Sequence, residues 1–342
     1  MNIKDIARIA GVSSATVSRV INDSGYVSDK TREKVTETIK KYDYVPNLTA
    51  RSLSKKVSTY IGVVIPDIEN EFFSKMTTGI STVAGSGEFN IQLLNSNENV
   101  EIENKFLQGI VGHDLAGLII APVACDNIYC KEKLNSLHEQ GLPIVLIDRD
   151  IDGLKLPSVF VDNINSSFEA VKALIDEGHK KIGIIKGTMN SKPGRERYLG
   201  YLKALEYAGI EIKSEYIVQG DFRLEGAYQA CKSLLDLKDP PTAIFSSNNF
   251  STLGCIKAFN EKGLKLSEDI SLIGFDDIEV LSILNFNLSA VHRQAKMQGM
   301  EAMKLLLKMI NGEDVKNKEI IVPSKLILRG SEKRKVDRNE TE

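Results

Sequence analysis

Polar, charged and aromatic side chains follow one predicted strand after another in this sequence. They are Asn70, Phe72, Phe73, Asp148, Arg149, Arg197, Phe222, Asn248 and Asp276. Aromatic rings pack on the apolar faces of sugar rings, while Asp, Asn and Arg supply acceptors and donors for hydroxyl groups. Any one of these residues alone is more often part of a core or a helix cap. Their coincidence at strand ends predicts a binding site for a polyhydroxylated ligand.

Short apolar strands that alternate with amphipathic helices must position these side chains. The strand-like runs cover 60–66, 90–95, 117–121, 143–148, 158–162, 181–187, 242–247 and 270–276, and helix-like stretches include 164–178, 194–209, 223–237 and 249–263. This alternation is typical of an α/β fold with doubly wound parallel sheets. So many strands indicate two sheets and therefore two lobes. Ligands of such folds bind beyond the carboxyl ends of the strands, so we expect a cleft between the lobes.

Length, charge and cysteine content restrict the class of protein. The 342 residues suggest two or three domains. The N-terminus has no apolar secretory segment and no run of 18 apolar residues occurs, so we expect a cytoplasmic protein without a membrane span. The scattered cysteines and histidines lack metal-ligand spacing, so no metal site and no cofactor are predicted. We expect the cysteines to be reduced and mostly buried; they are Cys125, Cys130, Cys231 and Cys255.

The charge is distributed unevenly along the chain. Residues 1–58 hold eleven Lys/Arg and six Asp/Glu, a net charge of +5. The whole chain carries −2, which leaves −7 for the remainder. Residues 1–58 therefore form a basic head, and the remaining residues form an acidic body. This distribution indicates that only the head binds a polyanion.

The sequence of the basic head predicts three short helices. Residues 4–10 place Ile6, Ile9 and Ala10 on one face, and Gly11 then allows a turn before Ser13 caps a second helix over 14–22. A third helix begins at Ser28 and runs to about Tyr42. This pattern predicts an all-α helix-turn-helix. The second helix begins with small polar residues and carries Arg19 one turn later, which suits the major groove; a three-helix bundle with a solvated polar face is the alternative.

The segments IKDIARIAGVSSATVSRVIN, VSDKTREKV and YVPNLTARSLSKKVSTYIGVVIPD resemble the lactose-repressor/galactose-repressor (LacI/GalR) family of transcriptional regulators. The resemblance continues through nearly the whole chain. It implies that Ser14, Ala15 and Arg19 read bases of double-stranded operator DNA. It also implies that another set mostly contacts phosphates. That set is Ser13, Thr16, Ser18, Asn22 and Tyr44.

The segment NLTARSLSKK matches the hinge helix of the family. The resemblance implies that Ala50 and Arg51 lie in the minor groove and that Leu53 wedges into a base step. The implied organisation is a helix-turn-helix domain over 1–46, a hinge helix over 47–58, a two-lobed effector and dimerisation domain over 59–330, and a solvated charged tail over 331–342.

The body of the family resembles a periplasmic sugar-binding protein, and the residues at the strand ends resemble the ribose-binding arrangement. The resemblance therefore implies a ribose-type repressor, with ribose or a related pentose as its effector. The sequence departs at Asn249, where Asp is common, and at Arg293, near a common Gln that a one-residue shift would align with Gln294. Arg293 in the pocket would give three Arg against two Asp, which would favour a phosphorylated or acidic sugar.

The family resemblance further implies a homodimer on a near-palindromic operator, with the effector changing the lobe angle and the order of the hinge helices. A catabolite-control regulator that responds to a phosphocarrier protein or a sugar phosphate is the alternative, because VVIPDIEN and LIDEGHKKIG also resemble that branch. A sugar-binding transport component is a further alternative, but it would need a signal peptide and would lack a DNA-binding head, and neither condition is met by this sequence. No dinucleotide loop, P-loop or nucleophile elbow occurs, so the protein is not predicted to be an enzyme.

Overall fold

A computed structural model describes residues 1–21, 23–44, 58–86, 89–110 and 115–334 of the chain. The chain forms two compact units, Met1–Ser58 and Thr59–Glu342. Four predicted DNA contacts lie outside the described residues, as do all but the last residue of the predicted hinge helix and residues 335–342 of the predicted tail. These contacts are Asn22, Ala50, Arg51 and Leu53.

The described part of the first unit contains three helices: α1 (Ile3–Ala10), α2 (Ser14–Ile21) and α3 (Asp29–Lys41). Helix α1 begins at a capping box, in which Asn2 Oδ1 accepts a hydrogen bond from the Asp5 backbone at 3.1 Å and Asp5 accepts one from the Asn2 backbone at 3.0 Å. It ends at Gly11, which adopts a left-handed φ of 63°. The predicted order of three short helices is confirmed.

A small apolar core joins these helices. Its buried members are Ile6, Ala7, Ala10, Val17 and Val35. The expectation that Ile9 faces inward is wrong, because its side chain is 41% exposed and Ala7 is buried instead. At about 100° per residue, Ala7 and Ala10 lie to one side of Ile6 on the helix and Ile9 lies to the other.

The second unit alternates strands and helices. Its strands are β1 (Tyr60–Ile65), β2 (Asn90–Asn95), β3 (Gly117–Ile120), β4 (Ile144–Ile147), β5 (Ser158–Val161), β6 (Ile182–Lys186), β7 (Ile217–Gln219), β8 (Ala243–Ser246), β9 (Ser271–Phe275), β10 (Ser289–Arg293), β11 (Glu319–Val322) and β12 (Ser324–Ile327). Its helices are α4 (Glu71–Ala84), α5 (Val100–Gly109), α6 (Ile128–Glu139), α7 (Asn163–Asp176), α8 (Lys192–Tyr207), α9 (Leu224–Leu235), α10 (Asn249–Lys262), α11 (Glu279–Ile283) and α12 (Ala295–Ile310), with a 3-10 turn at Ser214–Tyr216.

These strands form two six-stranded sheets. The sheet of lobe 1 has the order β11-β5-β4-β3-β1-β2 with parallel pairing throughout, and that of lobe 2 has the order β12-β10-β9-β8-β6-β7. Only the edge strand β12 pairs antiparallel, with β10. The predicted pair of doubly wound sheets is confirmed. Apolar clusters cover both faces of each sheet, as parallel sheets require.

Over its described residues, the chain passes between the lobes three times. The crossings lie between β5 and α7, between β10 and α12, and between β11 and β12. Helix α12 therefore returns to lobe 1, where it packs against α4. The two helices approach closely at Gly79 and Gly299: a Cβ atom at Gly79 would lie 2.0 Å from the Lys296 carbonyl oxygen, and one at Gly299 would lie 2.0 Å from that of Met76. Only glycine allows this crossing.

The predicted solvated tail begins later than residue 331. Ser331 and Glu332 are buried in lobe 2, where Ser331 Oγ donates a hydrogen bond to the Leu272 carbonyl at 2.6 Å. The Glu332 carboxylate accepts a hydrogen bond from the Ser289 hydroxyl. The charged composition predicted a solvated segment, but these bonds attach it to the beginnings of β9 and β10.

All four cysteines are described and buried, as expected. No helix among the described residues is long and apolar enough to cross a membrane. The same part of the chain contains no group of three or more His, Cys, Asp or Glu side chains that could hold a metal ion.

Candidate functional site

Helix α2 carries the predicted base-reading side chains on its outer face. Ala15 and Arg19 are exposed and Ser14 is half-buried. Ser13 Oγ accepts a hydrogen bond from the Thr16 backbone at 3.1 Å, so Ser13 caps the helix, and it lies 2.9 Å from Thr16 Oγ1. The half-buried Ser18 lies on the same helix. Tyr44 is half-buried against the core of this unit and follows α3.

A narrow cleft with a cavity volume of about 30 Å³ lies between the two lobes of the second unit. It is lined by Asp67, Asn70, Phe72, Phe73, Glu98, Asp148, Arg149, Pro193, Arg197, Phe222, Arg223, Asn248, Asp276 and Arg293. All ten side chains that the sequence predicts for the effector site are among them. Sequence reasoning missed Asp67, Glu98, Pro193 and Arg223.

Asp148 and Asp276 occupy equivalent places in the two lobes. Asp148 follows β4 with a φ of 62°, and Asp276 follows β9 with a φ of 73°. The backbone N–H of each donates a 3.0 Å hydrogen bond to the next strand of its sheet, to Val159 and Val291 respectively. Left-handed backbone at a non-glycine residue carries strain that the surrounding structure must hold, and here it turns both carboxylates into the cleft.

Arg293 binds both carboxylates. Its Nη1 lies 2.7 Å from Asp148 Oδ1, while Nε and Nη2 lie 2.5 and 2.9 Å from the two oxygens of Asp276. The guanidinium carbon lies 3.4 Å from the centre of the Phe72 ring. Burial opposes the charge, but Asp276 and Asp148 outweigh it and raise the pKa of Arg293 above its ordinary value. Gln294 is exposed, so Arg293 is the residue that faces the cleft.

Arg149 has its own partner in lobe 1. Its Nη1 and Nη2 lie 2.8 and 2.6 Å from the two carboxylate oxygens of Glu98. Burial opposes the charge of Arg149, but Glu98 raises its pKa above the ordinary value. Glu98 follows β2 within the polar run SNENVE, a strand end that sequence reasoning did not use.

The charges that line the cleft are balanced. Among the described lining residues, four carboxylates (Asp67, Glu98, Asp148, Asp276) face four guanidinium groups (Arg149, Arg197, Arg223, Arg293). The sequence alone places three Arg and two Asp in the site and therefore suggests an excess of positive charge. The structure adds Arg223, Asp67 and Glu98 to the lining, which removes that excess. A neutral polar ligand would leave this balance unchanged.

Arg197 is the one of these four guanidinium groups that no carboxylate contacts directly. Its Nε donates to Asn163 Oδ1 at 3.0 Å and its Nη1 to the Ser247 carbonyl at 2.6 Å. Its Nη2 is buried and has no hydrogen-bond partner among the described residues. Burial, with the neighbouring charge of Arg293, lowers the pKa of Arg197 to about 9. This nitrogen can donate to an acceptor oxygen of a ligand.

Two asparagines connect the lobes at one side of the cleft. Asn70 precedes α4 in lobe 1, and Asn249 is the first residue of α10 in lobe 2. Asn249 Nδ2 donates to Asn70 Oδ1 at 2.9 Å, and Asn70 Nδ2 donates to Asn249 Oδ1 at 3.2 Å. The neighbouring Asn248 caps α10 and donates to the Phe222 carbonyl at 3.2 Å, which holds that aromatic residue in place.

Comparison with known proteins covers both units. Residues 2–47 match the family described as "Bacterial regulatory proteins, lacI family", and residues 58–329 match "Periplasmic binding proteins and sugar binding domain of LacI family". Catabolite control protein A of Priestia megaterium is 35% identical over 334 residues, which are 97% of this chain and 99% of that protein.

Solved structures that are similar to the chain include two repressors. The lac repressor dimer bound to operator and the anti-inducer ONPF has a TM-score of 0.86 at 26% identity, covering 97% of this chain and 99% of the repressor chain. A structure described as a ribose operon repressor from Burkholderia thailandensis has a TM-score of 0.71 at 27% identity, covering 79% of this chain and 99% of that one.

Proposed function

This chain belongs to the LacI family of bacterial regulatory proteins, and we propose that it is a cytoplasmic, sequence-specific repressor whose operator affinity is controlled by a small sugar. The observation that carries the effector part is the convergence of carboxylates, guanidinium groups and aromatic rings from both lobes on one cleft. This combination is suited to the hydroxyl groups and apolar faces of a sugar ring.

Ribose or a related pentose is the effector that we propose. The ten predicted side chains resemble a ribose-binding set, and one similar structure is described as a ribose operon repressor. The balance of four carboxylates against four guanidinium groups supports a neutral sugar over a sugar phosphate, because an anion would leave excess negative charge in a buried site.

We also propose that the protein acts as a homodimer on double-stranded DNA, with Ser14, Ala15 and Arg19 reading bases. A similar repressor structure is a dimer on its operator. Three apolar side chains on or beside α11, Val280, Ile283 and Leu284, are exposed in the single chain, as expected of a surface that a second copy covers. In this proposal the protein has two arrangements of its lobes, and only one of them binds the operator tightly. An effector that binds one arrangement better than the other would then change the operator affinity.

Control by a phosphocarrier protein is the second candidate. The 35% identity to a catabolite control protein over 97% of the chain favours it. Such a protein would be the partner in place of a sugar, with the DNA-binding role unchanged.

The proposed function can be tested with the purified full chain. A duplex operator is first selected from a random pool, and its affinity is then measured by fluorescence anisotropy. Arg19→Ala should weaken binding about 5- to 150-fold and relax the base preference, as expected for loss of a bidentate base contact. Arg8→Ala, which removes an exposed arginine of α1, should have a much smaller effect. Equal loss in the two variants would contradict base reading by α2.

A sugar panel tests the effector. Ribose, other pentoses, hexoses and their phosphates are added to the operator complex and to the free protein in a thermal-shift assay. A pentose that shifts both the melting temperature and the operator affinity, with the shifts lost in Phe222→Ala, supports the proposal. A response to a phosphocarrier protein alone would replace it with the second candidate.

A further inference from the structure

The guanidinium group of Arg293 lies where the hydroxyl groups of a bound sugar would need acceptors. Three hydrogen bonds from Arg293 end on Asp148 Oδ1 and on both oxygens of Asp276. These two carboxylates are the equivalent acceptors of the two lobes. The same guanidinium group covers the face of Phe72, which is also the surface expected to pack against a sugar ring.

Arg293 also connects the two lobes. Asp148 belongs to lobe 1, whereas Asp276 and Arg293 end strands of lobe 2. The three side chains are 3–8% exposed, so the bonds form away from water, where charged pairs are strongest. A ligand that joined the same two carboxylates would hold the lobes together in the same way.

We propose that Arg293 is an internal competitor of the effector: it occupies the hydroxyl-binding subsite, bridges the lobes from within the chain, and sets the sugar concentration at which the protein responds. This inference deepens the proposed sugar site and rests on it. A sugar binds by displacing the guanidinium group from Asp148 and Asp276, so its measured affinity is reduced by the stability of that bridge. Glutamine at this position would leave the carboxylates to the sugar.

The remaining polar groups fit this assignment. Two buried nitrogens of the cleft, Arg149 Nε and Arg197 Nη2, have no hydrogen-bond partner among the described residues. Both are donors, so the subsite keeps donors for the ligand while Arg293 takes up acceptors. Arg293 thus acts as a specificity-determining residue. A polyol whose hydroxyl groups donate to these carboxylates must displace Arg293, so a higher concentration of that polyol is needed to occupy the site.

The test compares the wild-type full chain with Arg293→Gln and Arg293→Lys. Lysine keeps the cation, and so protects the fold, but cannot make three bonds to two carboxylates. Arg329→Gln is the matched control. Arg329 makes a bidentate pair with Asp277 at 3.0 and 2.8 Å in the same lobe, outside the cleft. The Arg329→Gln substitution therefore removes an Arg–Asp pair without altering the proposed subsite.

Calorimetric titration with ribose and with the rest of the neutral sugar panel gives the first measurement. We expect Arg293→Gln to bind at least one neutral sugar ten or more times tighter than the wild type, Arg293→Lys to fall between them, and Arg329→Gln to match the wild type. Affinity that is unchanged or weaker in Arg293→Gln would overturn the inference, because Arg293 would then not compete with the sugar.

The distance between the lobes gives a second measurement that needs no sugar. Spin labels at Glu132→Cys in α6 and Lys203→Cys in α8 sit on exposed positions of different lobes, while the four native cysteines are buried. Without sugar, the distance distribution should be narrow in the wild type and in Arg329→Gln and broader in Arg293→Gln. An identical distribution in Arg293→Gln would overturn the bridge. Failure of every protein to bind any sugar would instead overturn the proposed effector, and the lobe distances would still decide the bridge.

Discussion

The side-chain amides of Asn70 and Asn249 bond to each other in both directions, although 179 positions separate them in sequence. Both side chains are buried, so neither can exchange its partner for water without moving the lobes apart. Loss of one partner leaves the other unsatisfied. The strength of this pair therefore reports whether the two lobes are in contact.

The Asn70–Asn249 pair predicts energetic coupling. In a double-mutant cycle of Asn70→Ala and Asn249→Ala, we expect a coupling free energy of about 1 kcal/mol or more. Asn70→Ala also removes the cap of α4, so Asn99→Ala, which removes the exposed cap of α5, serves as its control. Free energies of unfolding can be followed by circular dichroism in denaturant. Strictly additive effects would contradict a direct bond.

The crossing of α4 and α12 predicts a large effect of one methyl group. Gly79→Ala or Gly299→Ala should lower the free energy of unfolding by about 3 kcal/mol, because the added Cβ would meet a carbonyl oxygen of the other helix. Gly109→Ala is the matched control: it lies in α5, no atom of the described residues is within 4 Å of the added Cβ, and the change should be neutral or stabilising by about 0.5–1 kcal/mol. Similar effects at the three positions would argue against a tight crossing.

The buried pair of Arg149 and Glu98 predicts a loss that an exposed pair does not show. Glu98→Gln should cost about 3 kcal/mol of stability, since it leaves a buried guanidinium group without its carboxylate. Lys172 and Asp176 form a pair of similar length, 2.5 Å against 2.6 Å, on the surface of α7. Asp176→Asn should have a much smaller effect on stability, because water screens this exposed pair. Denaturant unfolding compares the two, and equal costs would refute the role of burial.

His179 predicts a pH dependence. Its Nε2 donates to the Glu332 carbonyl at 3.2 Å, and its Nδ1 lies 2.8 Å from Thr242 Oγ1. Burial lowers its pKa below the ordinary 6.5. The unfolded chain therefore takes up a proton near pH 6.5 that the folded protein resists, so stability is full above that pH and falls as the pH drops through the window below it. Melting temperatures at pH 7.5 and 5.5 should differ less in His179→Gln, and an equal difference would exclude His179 as the cause.

The strands and the cleft were predictable because their signals are local. The runs 90–95 and 158–162 coincide with β2 and β5 to within a residue. Strand β5 is fully buried and mostly apolar, as is typical of parallel strands, whereas β2 is a partly exposed edge strand with asparagine at both ends. The residues that follow them must face the cleft for a topological reason, so Asp148 and Asp276 could be placed without coordinates. The strands β10, β11 and β12 were missed. The edge strands β11 and β12 are partly exposed, which gives a weak apolar pattern. The inner strand β10 has polar residues at three of its five positions, SAVHR.

The pairing of charges within the cleft could not be predicted from sequence. Whether Arg293 or Gln294 faces inward depends on where β10 ends, and a shift of one residue reverses the answer. Glu98 lies 51 positions from Arg149, and only the folded sheet brings β2 and β4 into the same edge of lobe 1. The exposed Ile9 was misjudged because a helix of eight residues has too few turns to define its buried face.

The three crossings between the lobes have a consequence for biosynthesis. Lobe 1 begins at residue 59 but is completed only by α12 and β11, so the ribosome must reach residue 322 before that core can close. Until then, the face of α4 that carries Met76 and Ile80 has no covering helix. Premature termination after β10 would release a chain with a complete head and an unfinished first lobe. Folding of lobe 1 therefore depends on the 28 residues of 295–322, which are synthesised after most of lobe 2.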